Sequence, residues 1–409
     1  MTGGPPSGHP AIQVAPIGRK VSGMPYLVER MRPFTSTIFA EMSALATRTG
    51  AINLGQGFPD TDGPTSLLED AVKAIRNGAN QYPPGKGIPE LRDAISRHQR
   101  RFYGLDPDPD TEVLVTAGAT EAIAASILAL AERDDEVLTF EPYYDSYAAC
   151  IALAGATRRT VPLRAPEFTF DPDQLRAAFT DRTRLVLLNS PHNPTGKVFD
   201  LDELSLIAEL ARQHDAIVVT DEVYEHQTFD GVPHIPIATF PGMAERTVTI
   251  SSAGKTFSVT GWKIGWLHAP AEITAAVRAV KQFMTYVNGG PFQPAVATAL
   301  DLPDEFYQQL ASELQRKRDL LAQGLRAGGL EVFEPRGTYF IVTDVAALGH
   351  DDGVELCWRL PELVGVAAVP VAVFCDDPEP ARSLVRFAFC KRDDVLTEAA
   401  ERLAKLATR

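Results

Sequence analysis

The stretch Thr247-Val-Thr-Ile250-Ser-Ser-Ala-Gly-Lys255-Thr-Phe-Ser-Val-Thr-Gly-Trp-Lys263-Ile-Gly-Trp266 runs from a short β-branched strand into a small-residue turn that carries a lysine, with a second lysine close behind. A lysine held in a tight turn at a strand end can be shielded from water. Desolvation disfavours the ammonium, lowers the pKa and leaves an amine able to attack an aldehyde. The neighbouring serines and the second cation suit a phosphate. Gly254-Lys255-Thr256 also invites a nucleotide-binding reading, but a phosphate-cradling P-loop needs glycine at position 249, which is threonine.

Two upstream segments share this placement. Asn189-Ser-Pro-His-Asn193-Pro-Thr-Gly196 follows the apolar run Leu185 to Leu188, and Asp221-Glu-Val-Tyr224 follows Ala216 to Thr220. The C-terminal strand edge is where open α/β sheets bind ligands. An aldehyde and a phosphate on one ligand point to pyridoxal 5′-phosphate (PLP). Its ring nitrogen needs a carboxylate to remain protonated, and Asp221 supplies one. Its phenolic oxygen needs donors, which Asn193 and Tyr224 provide. Alone, Asn-Pro-Thr-Gly reads equally as an ordinary turn and Asp221 as a helix N-cap. Three such motifs in order, each at a strand end, argue against coincidence.

From about Gly63 the chain alternates helical patterns with short apolar strands, the pattern of a mostly parallel sheet covered on both faces. Strands are expected at 113–115, 137–140, 185–188, 217–220, 248–250 and 265–268, with helices at 120–132 and 201–214. After about Asp301 the pattern changes to a charged helix (305–327), strands at 339–342 and 383–389, and a closing helix from about Leu396. The expected fold class is therefore α/β: a large domain (63–300) with a mostly parallel central sheet and a smaller α+β domain (301–409). The segment 26–62 is expected to return to the small domain, and the Gly/Pro-rich 1–25 to be a disordered leader.

Composition narrows the partners. Net charge is −14 with no basic run, against nucleic acid or an anionic membrane as main partner. The longest apolar run, around Ala122 to Ala131, is too short for a bilayer, and the N-terminus lacks a secretory signal. The four cysteines are widely spaced and form no CxxC or Cys/His cluster. Neither structural zinc nor a disulfide framework is indicated, no metal is expected, and reduced thiols fit a cytoplasmic protein.

With these motifs in place, the chain resembles the class I/II aminotransferases of the fold-type I PLP enzymes, from about Arg32 to its C-terminus. Within them it is most similar to the branch holding kynurenine/glutamine transaminases and actinobacterial N-succinyldiaminopimelate aminotransferases. Asn53-Leu-Gly-Gln-Gly-Phe-Pro-Asp60, Asn80-Gln-Tyr-Pro-Pro84, Glu141-Pro-Tyr-Tyr-Asp145 and Val385-Arg-Phe-Ala-Phe-Cys-Lys391 carry the narrower similarity.

The resemblance implies a homodimer with shared active sites and a role for each matching residue. Lys255 is the covalent attachment point and the acid–base group. Ala119 and Thr120, at a helix start, cradle the phosphate with Ser252 and Lys263. Lys263 stands where many relatives carry arginine, keeping the charge and losing the bidentate fork. Tyr82 reaches the phosphate of the neighbouring subunit. Tyr144 stacks on the ring, with Tyr143 one residue away. Arg386, with Asn193, holds the substrate α-carboxylate, and Gly57 brings backbone close to the substrate.

The implied reaction is transamination between an L-amino acid and a 2-oxo acid. N-succinyl-L,L-diaminopimelate with 2-oxoglutarate/glutamate, in lysine biosynthesis, is the first substrate expectation. Kynurenine, glutamine or methionine transamination and cysteine-S-conjugate β-lysis are the alternatives. A non-catalytic PLP-binding regulatory module is disfavoured, because competent residues fill every matched position. No further arginine is assignable to a distal carboxylate.

Overall fold

The computed structural model describes residues 26–408, so the expected leader lies outside the described residues. A 3-10 helix at Glu29–Phe34 precedes helix Ile38–Thr49. The N-cap of the latter, Thr37, accepts from the Ala40 N–H, and left-handed Gly50 ends it (φ 65°). It leads into the two-residue strand β1 (Ile52–Asn53).

Seven strands then build the main sheet: β2 (Val113–Ala117), β3 (Glu136–Glu141), β4 (Thr157–Pro162), β5 (Thr183–Asn189), β6 (Ile217–Asp221), β7 (Thr247–Ser252) and β8 (Ile264–His268). Their spatial order is β2-β8-β7-β6-β5-β3-β4. β8 alone is reversed, pairing antiparallel with both β2 and β7, while the pairings among β3 to β7 are parallel. Apart from β4, the strands are almost wholly buried, as a sheet covered on both faces requires. Helices such as Gly118–Leu130 and Leu201–Gln213 supply the cover. The latter starts with a capping box between Asp200 and Glu203.

The expected strands and helices all occur, with bounds shifted by a few residues. β4 escaped the sequence reading because its Thr-Arg-Arg-Thr-Val-Pro pattern is polar. It is the sheet's edge, where charge blunts pairing with other chains, and Arg159 bonds Glu136 at 2.6 Å. The lysine turn is also more regular than expected: Ala253–Thr256 forms one helical turn directly after β7.

Beyond helix Asp304–Ala327 lies a second sheet made of β9 (Glu331–Phe333), β10 (Phe340–Asp344), β12 (Val369–Pro370) and β13 (Leu384–Ala388), in the order β12-β13-β10-β9. The short β11 (Val366–Ala367) pairs in parallel with β1. Leu54 extends this contact: its N–H donates to Ala367 O at 2.9 Å and its carbonyl accepts from the Ala388 N–H at 2.7 Å. Met42, Leu45 and Leu54 share a core with Tyr339, Phe340, Ile341 and Phe387. Residues 38–57 are thus bound to the second sheet by backbone pairing and by side-chain burial, each large apolar side chain contributing roughly 1.5–3 kcal/mol.

Candidate active site

The ends of β5, β6 and β7 define one wall of a deep cavity. Asn189 and Asp221 are paired partners at the ends of β5 and β6, and Ser252 closes β7. The Asn189 side-chain amide donates to the Asp221 backbone carbonyl at 2.8 Å and to Pro191 O at 3.1 Å. Its Oδ1 accepts from the Asn193 N–H at 2.7 Å, which fixes the loop bearing Asn193. Asp221 is buried and accepts from Tyr147 Oη at 2.7 Å and from the Val223 N–H at 3.3 Å. Burial pushes its carboxyl pKa up, and the Tyr147 hydrogen bond opposes that rise. A buried carboxylate with so few donors is poised for a cationic partner.

Lys255 projects from the turn after β7 and is half-buried. Burial lowers its pKa to about 8, against a weaker opposing pull from Cys390 and Asp221. Its Nζ donates to Tyr339 Oη at 2.9 Å and to Gly57 O at 3.3 Å. It also lies 5.6 Å from the centre of the Tyr224 ring.

At one end of the cavity, helix Gly118–Leu130 points its N-terminus inward, and its first-turn N–H groups lack intrahelical acceptors. Gly118 is left-handed (φ 75°), and a Cβ there would lie 3.0 Å from Lys263 Nζ. A Cβ on Gly265 would meet the Gly118 backbone at 2.5 Å, so β8 and the helix start approach as only glycine allows. Lys263 Nζ sits 3.4 Å from Thr120 Oγ1. Ala119, Thr120, Ser252 and Lys263 line this end together. A helix N-terminus, hydroxyls and an ammonium form an anion cradle.

The other wall comes from the second sheet. Arg386 on β13 is buried, donating from Nη1 to Asn193 Oδ1 and from Nη2 to Gly55 O, both at 2.8 Å. Its guanidinium carbon lies 4.0 Å from the centre of the Phe340 ring and 5.1 Å from that of Phe39. Its Nε is buried without a partner. Desolvation lowers its pKa to about 10, as expected for a buried cation awaiting an anion. Gly57 abuts Phe340, where a Cβ would lie 2.5 Å from the ring.

Of the residues singled out in the sequence, Lys255, Asp221, Tyr224, Ala119, Thr120, Tyr144, Asn193, Ser252, Lys263, Arg386 and Gly57 all line this one cavity. Tyr82 does not: it is 79% exposed, with its ring edge against Tyr286. Tyr143 turns away and donates to Asp376 at 2.8 Å, so the cavity-facing member of the Tyr-Tyr pair is Tyr144. Sequence reasoning missed Tyr147, Asn189, Tyr339 and Phe340. Asn189 had the signal of a polar residue ending an apolar run, whereas Tyr147 and Tyr339 read as core aromatics. Away from the cavity, His98, His226 and Glu225 bring ligand-type atoms within 4.8 Å of one another. There the two histidines share a hydrogen bond between their Nε2 atoms at 2.7 Å, and burial lowers the pKa of each. Among the described residues no helix is long and apolar enough to cross a membrane.

A half-buried lysine of lowered pKa, a helix N-terminus beside a second lysine, a buried carboxylate and a buried guanidinium thus line one cavity. The chain belongs to the aminotransferases of class I and II, whose family model matches residues 49–403. It is 56% identical over 393 residues to the probable N-succinyldiaminopimelate aminotransferase of Mycobacterium tuberculosis, covering 93% of this chain and 99% of that protein. The solved structure of the Mycobacterium tuberculosis N-succinyldiaminopimelate aminotransferase superposes with a TM-score of 0.91, over 93% of this chain and 100% of the other. The methionine aminotransferase of Escherichia coli is 44% identical, over 91% of this chain and 96% of its own length. Mouse kynurenine–oxoglutarate transaminase 3 is 38% identical, over 91% and 88%. The protein is therefore an aminotransferase of the fold-type I class, a class that uses PLP and acts on amino acids and 2-oxo acids.

Proposed function

We propose that this enzyme binds PLP in the cavity described and transfers the amino group of N-succinyl-L,L-diaminopimelate to 2-oxoglutarate. One observation carries the reading: the desolvated Lys255 amine shares a cavity with both the buried Asp221 and the buried Arg386. The residues fit the cofactor at each end. The left-handed Gly118 turn leaves room beside Lys263 for a phosphate, and Asp221 lacks a cationic partner that a protonated pyridine would provide. When bound, PLP supplies an electron sink for the substrate Cα.

The chain's own residues then divide the work. Ala119, Thr120, Ser252 and Lys263 hold the phosphate, and Asp221 keeps the ring nitrogen charged. Tyr144 would pack against the ring, and Asn193 and Tyr224 would supply donors for its phenolic oxygen. Arg386 grips the substrate α-carboxylate through two parallel hydrogen bonds, and its bond to Asn193 ties that grip to the ring-binding loop. Lys255 would be the attachment point and, as a free amine, would take the proton from the substrate Cα. Its pKa of about 8 suits this work near neutral pH.

A homodimer with shared sites accompanies this reading. Tyr82 is 79% exposed and Phe283 is 91% exposed, with Met284 and Tyr286 also open to solvent. An apolar surface of this kind is suited to cover by a second copy, which would bring Tyr82 to the partner's phosphate. The 56% identity with the mycobacterial protein supports the substrate choice. The test is a donor panel with 2-oxoglutarate as acceptor. N-succinyl-L,L-diaminopimelate is expected to give the highest kcat/KM; methionine or kynurenine exceeding it would move the enzyme to the broader transaminase branch.

A further inference from the structure

We infer that Tyr339 is a positioning residue for Lys255: with the Gly57 carbonyl it forms a seat that fixes the free amine and aims its third substituent into the cavity. The inference rests on the proposed role of Lys255 and adds a residue that no matched motif assigns.

The argument is a count of donors and acceptors. A neutral amine has two N–H donors and one lone pair. Two acceptors lie within reach of Lys255 Nζ, Tyr339 Oη at 2.9 Å and Gly57 O at 3.3 Å. If each takes one N–H, the lone pair is the only position left, and it belongs to the cavity that Lys255 lines. In the ammonium form a third N–H occupies that position. Proton exchange is therefore confined to one direction, while the other two bonds hold the nitrogen still.

Tyr339 is itself immobilised. It is 1% exposed, its hydroxyl donates to the Gly57 carbonyl at 2.6 Å, and its ring packs edge-on against Tyr224 and Phe340. Gly57 O can accept from both Tyr339 and Lys255 because a carbonyl oxygen has two lone pairs. The seat also joins distant segments. Tyr339 immediately precedes β10 of the second sheet, Gly57 lies on the loop after β1, and Lys255 follows β7 of the main sheet. Movement of the 53–60 loop would thus be felt at the amine.

Tyr339→Phe removes one oxygen and keeps the ring. Loss of an acceptor beside the ammonium makes the protonated form less favourable, so the pKa of Lys255 falls further. The experiment compares wild type and Tyr339→Phe in two ways. The first is the pH midpoint for recapture of added PLP by the apoprotein, read as visible colour. The second is the pH profile of kcat and of KM for the amino donor. The midpoint is expected to move to lower pH and kcat to fall about tenfold, with KM within about threefold because Arg386 is untouched. A thermal melt close to that of wild type establishes that the fold is intact. If the variant does not fold, 3-fluorotyrosine at 339, a weaker acceptor of the same shape, is expected to move the midpoint in the same direction by less. Unchanged midpoint and kcat in a folded variant would overturn the inference. A wild-type protein that neither takes up PLP nor transaminates would instead overturn the function proposed above.

Discussion

The two walls of the cavity are made differently. The main-sheet wall consists of short motifs, each ending a strand: Asn189 on β5, Asp221 on β6, and Ser252 with Lys255 after β7. Their relative positions follow from parallel pairing, since Asn189 and Asp221 are register partners. The second wall gathers Gly55 and Gly57 after β1, Tyr339 and Phe340 at β10, and Arg386 on β13. It exists only once β1 has paired with β11 and the Leu54 carbonyl has taken the Ala388 N–H. The first wall is suited to hold the cofactor and run the chemistry, the second to bind the substrate and seat the lysine. Damage to the first is expected chiefly in kcat; damage to the second is expected in KM where it removes Arg386, and in kcat and the pH profile where it disturbs the seat of Lys255.

The largest expected effect is on the chemical wall. Lys255→Ala removes attachment point and acid–base group together, and turnover should fall by at least about 10³-fold with the fold intact. Steady-state rates beside a thermal melt check this. Next comes the binding wall: Arg386→Gln leaves Asn193 Oδ1 and Gly55 O short of their donor and removes the carboxylate grip. A roughly 10²–10³-fold loss in kcat/KM is expected, mostly as a raised KM for the amino donor. If kcat falls and KM stays fixed, the division between the walls fails.

A smaller change sharpens it. Tyr147→Phe deprives Asp221 of its 2.7 Å donor, and kcat is expected to drop by about three- to tenfold. That hydrogen bond holds the carboxyl pKa down against burial, so its loss raises the pKa. The activity lost on acidification should therefore disappear at higher pH than in wild type, which a pH–rate profile reads. Smallest in size is the wild-type lysine titration. With its pKa lowered to about 8, the apoprotein should capture PLP with a midpoint near that pH. Below it the ammonium cannot attack and capture weakens; above it capture levels off. A midpoint near that of an ordinary exposed lysine would mean that Lys255 is not desolvated.

The same contrast explains what the sequence disclosed. Asp221, Asn193 and Lys255 were legible because each lies at or a few residues past the end of a short apolar strand, and parallel sheets place such groups on one edge. Arg386 was legible by chemistry, a guanidinium inside an apolar strand, although its Asn193 partner lies 193 residues away. Tyr339 and Tyr147 carried no such signal. An aromatic near an apolar strand or helix reads as core, and only the tertiary contacts reveal a hydroxyl aimed at Lys255 or Asp221. β4 was hidden for the opposite reason, since edge position makes a true strand look polar. The role proposed for Tyr82 involves a second chain, and within this chain its exposed ring packs edge-on against Tyr286.

The account depends most on Lys255 being the residue that carries the cofactor. Borohydride reduction of the PLP-loaded enzyme followed by peptide mass mapping tests this directly. The account predicts a reduced pyridoxyl-phosphate label on the peptide bearing Lys255 and none on Lys263. A label on Lys263, or an unlabelled protein after loading, would contradict it.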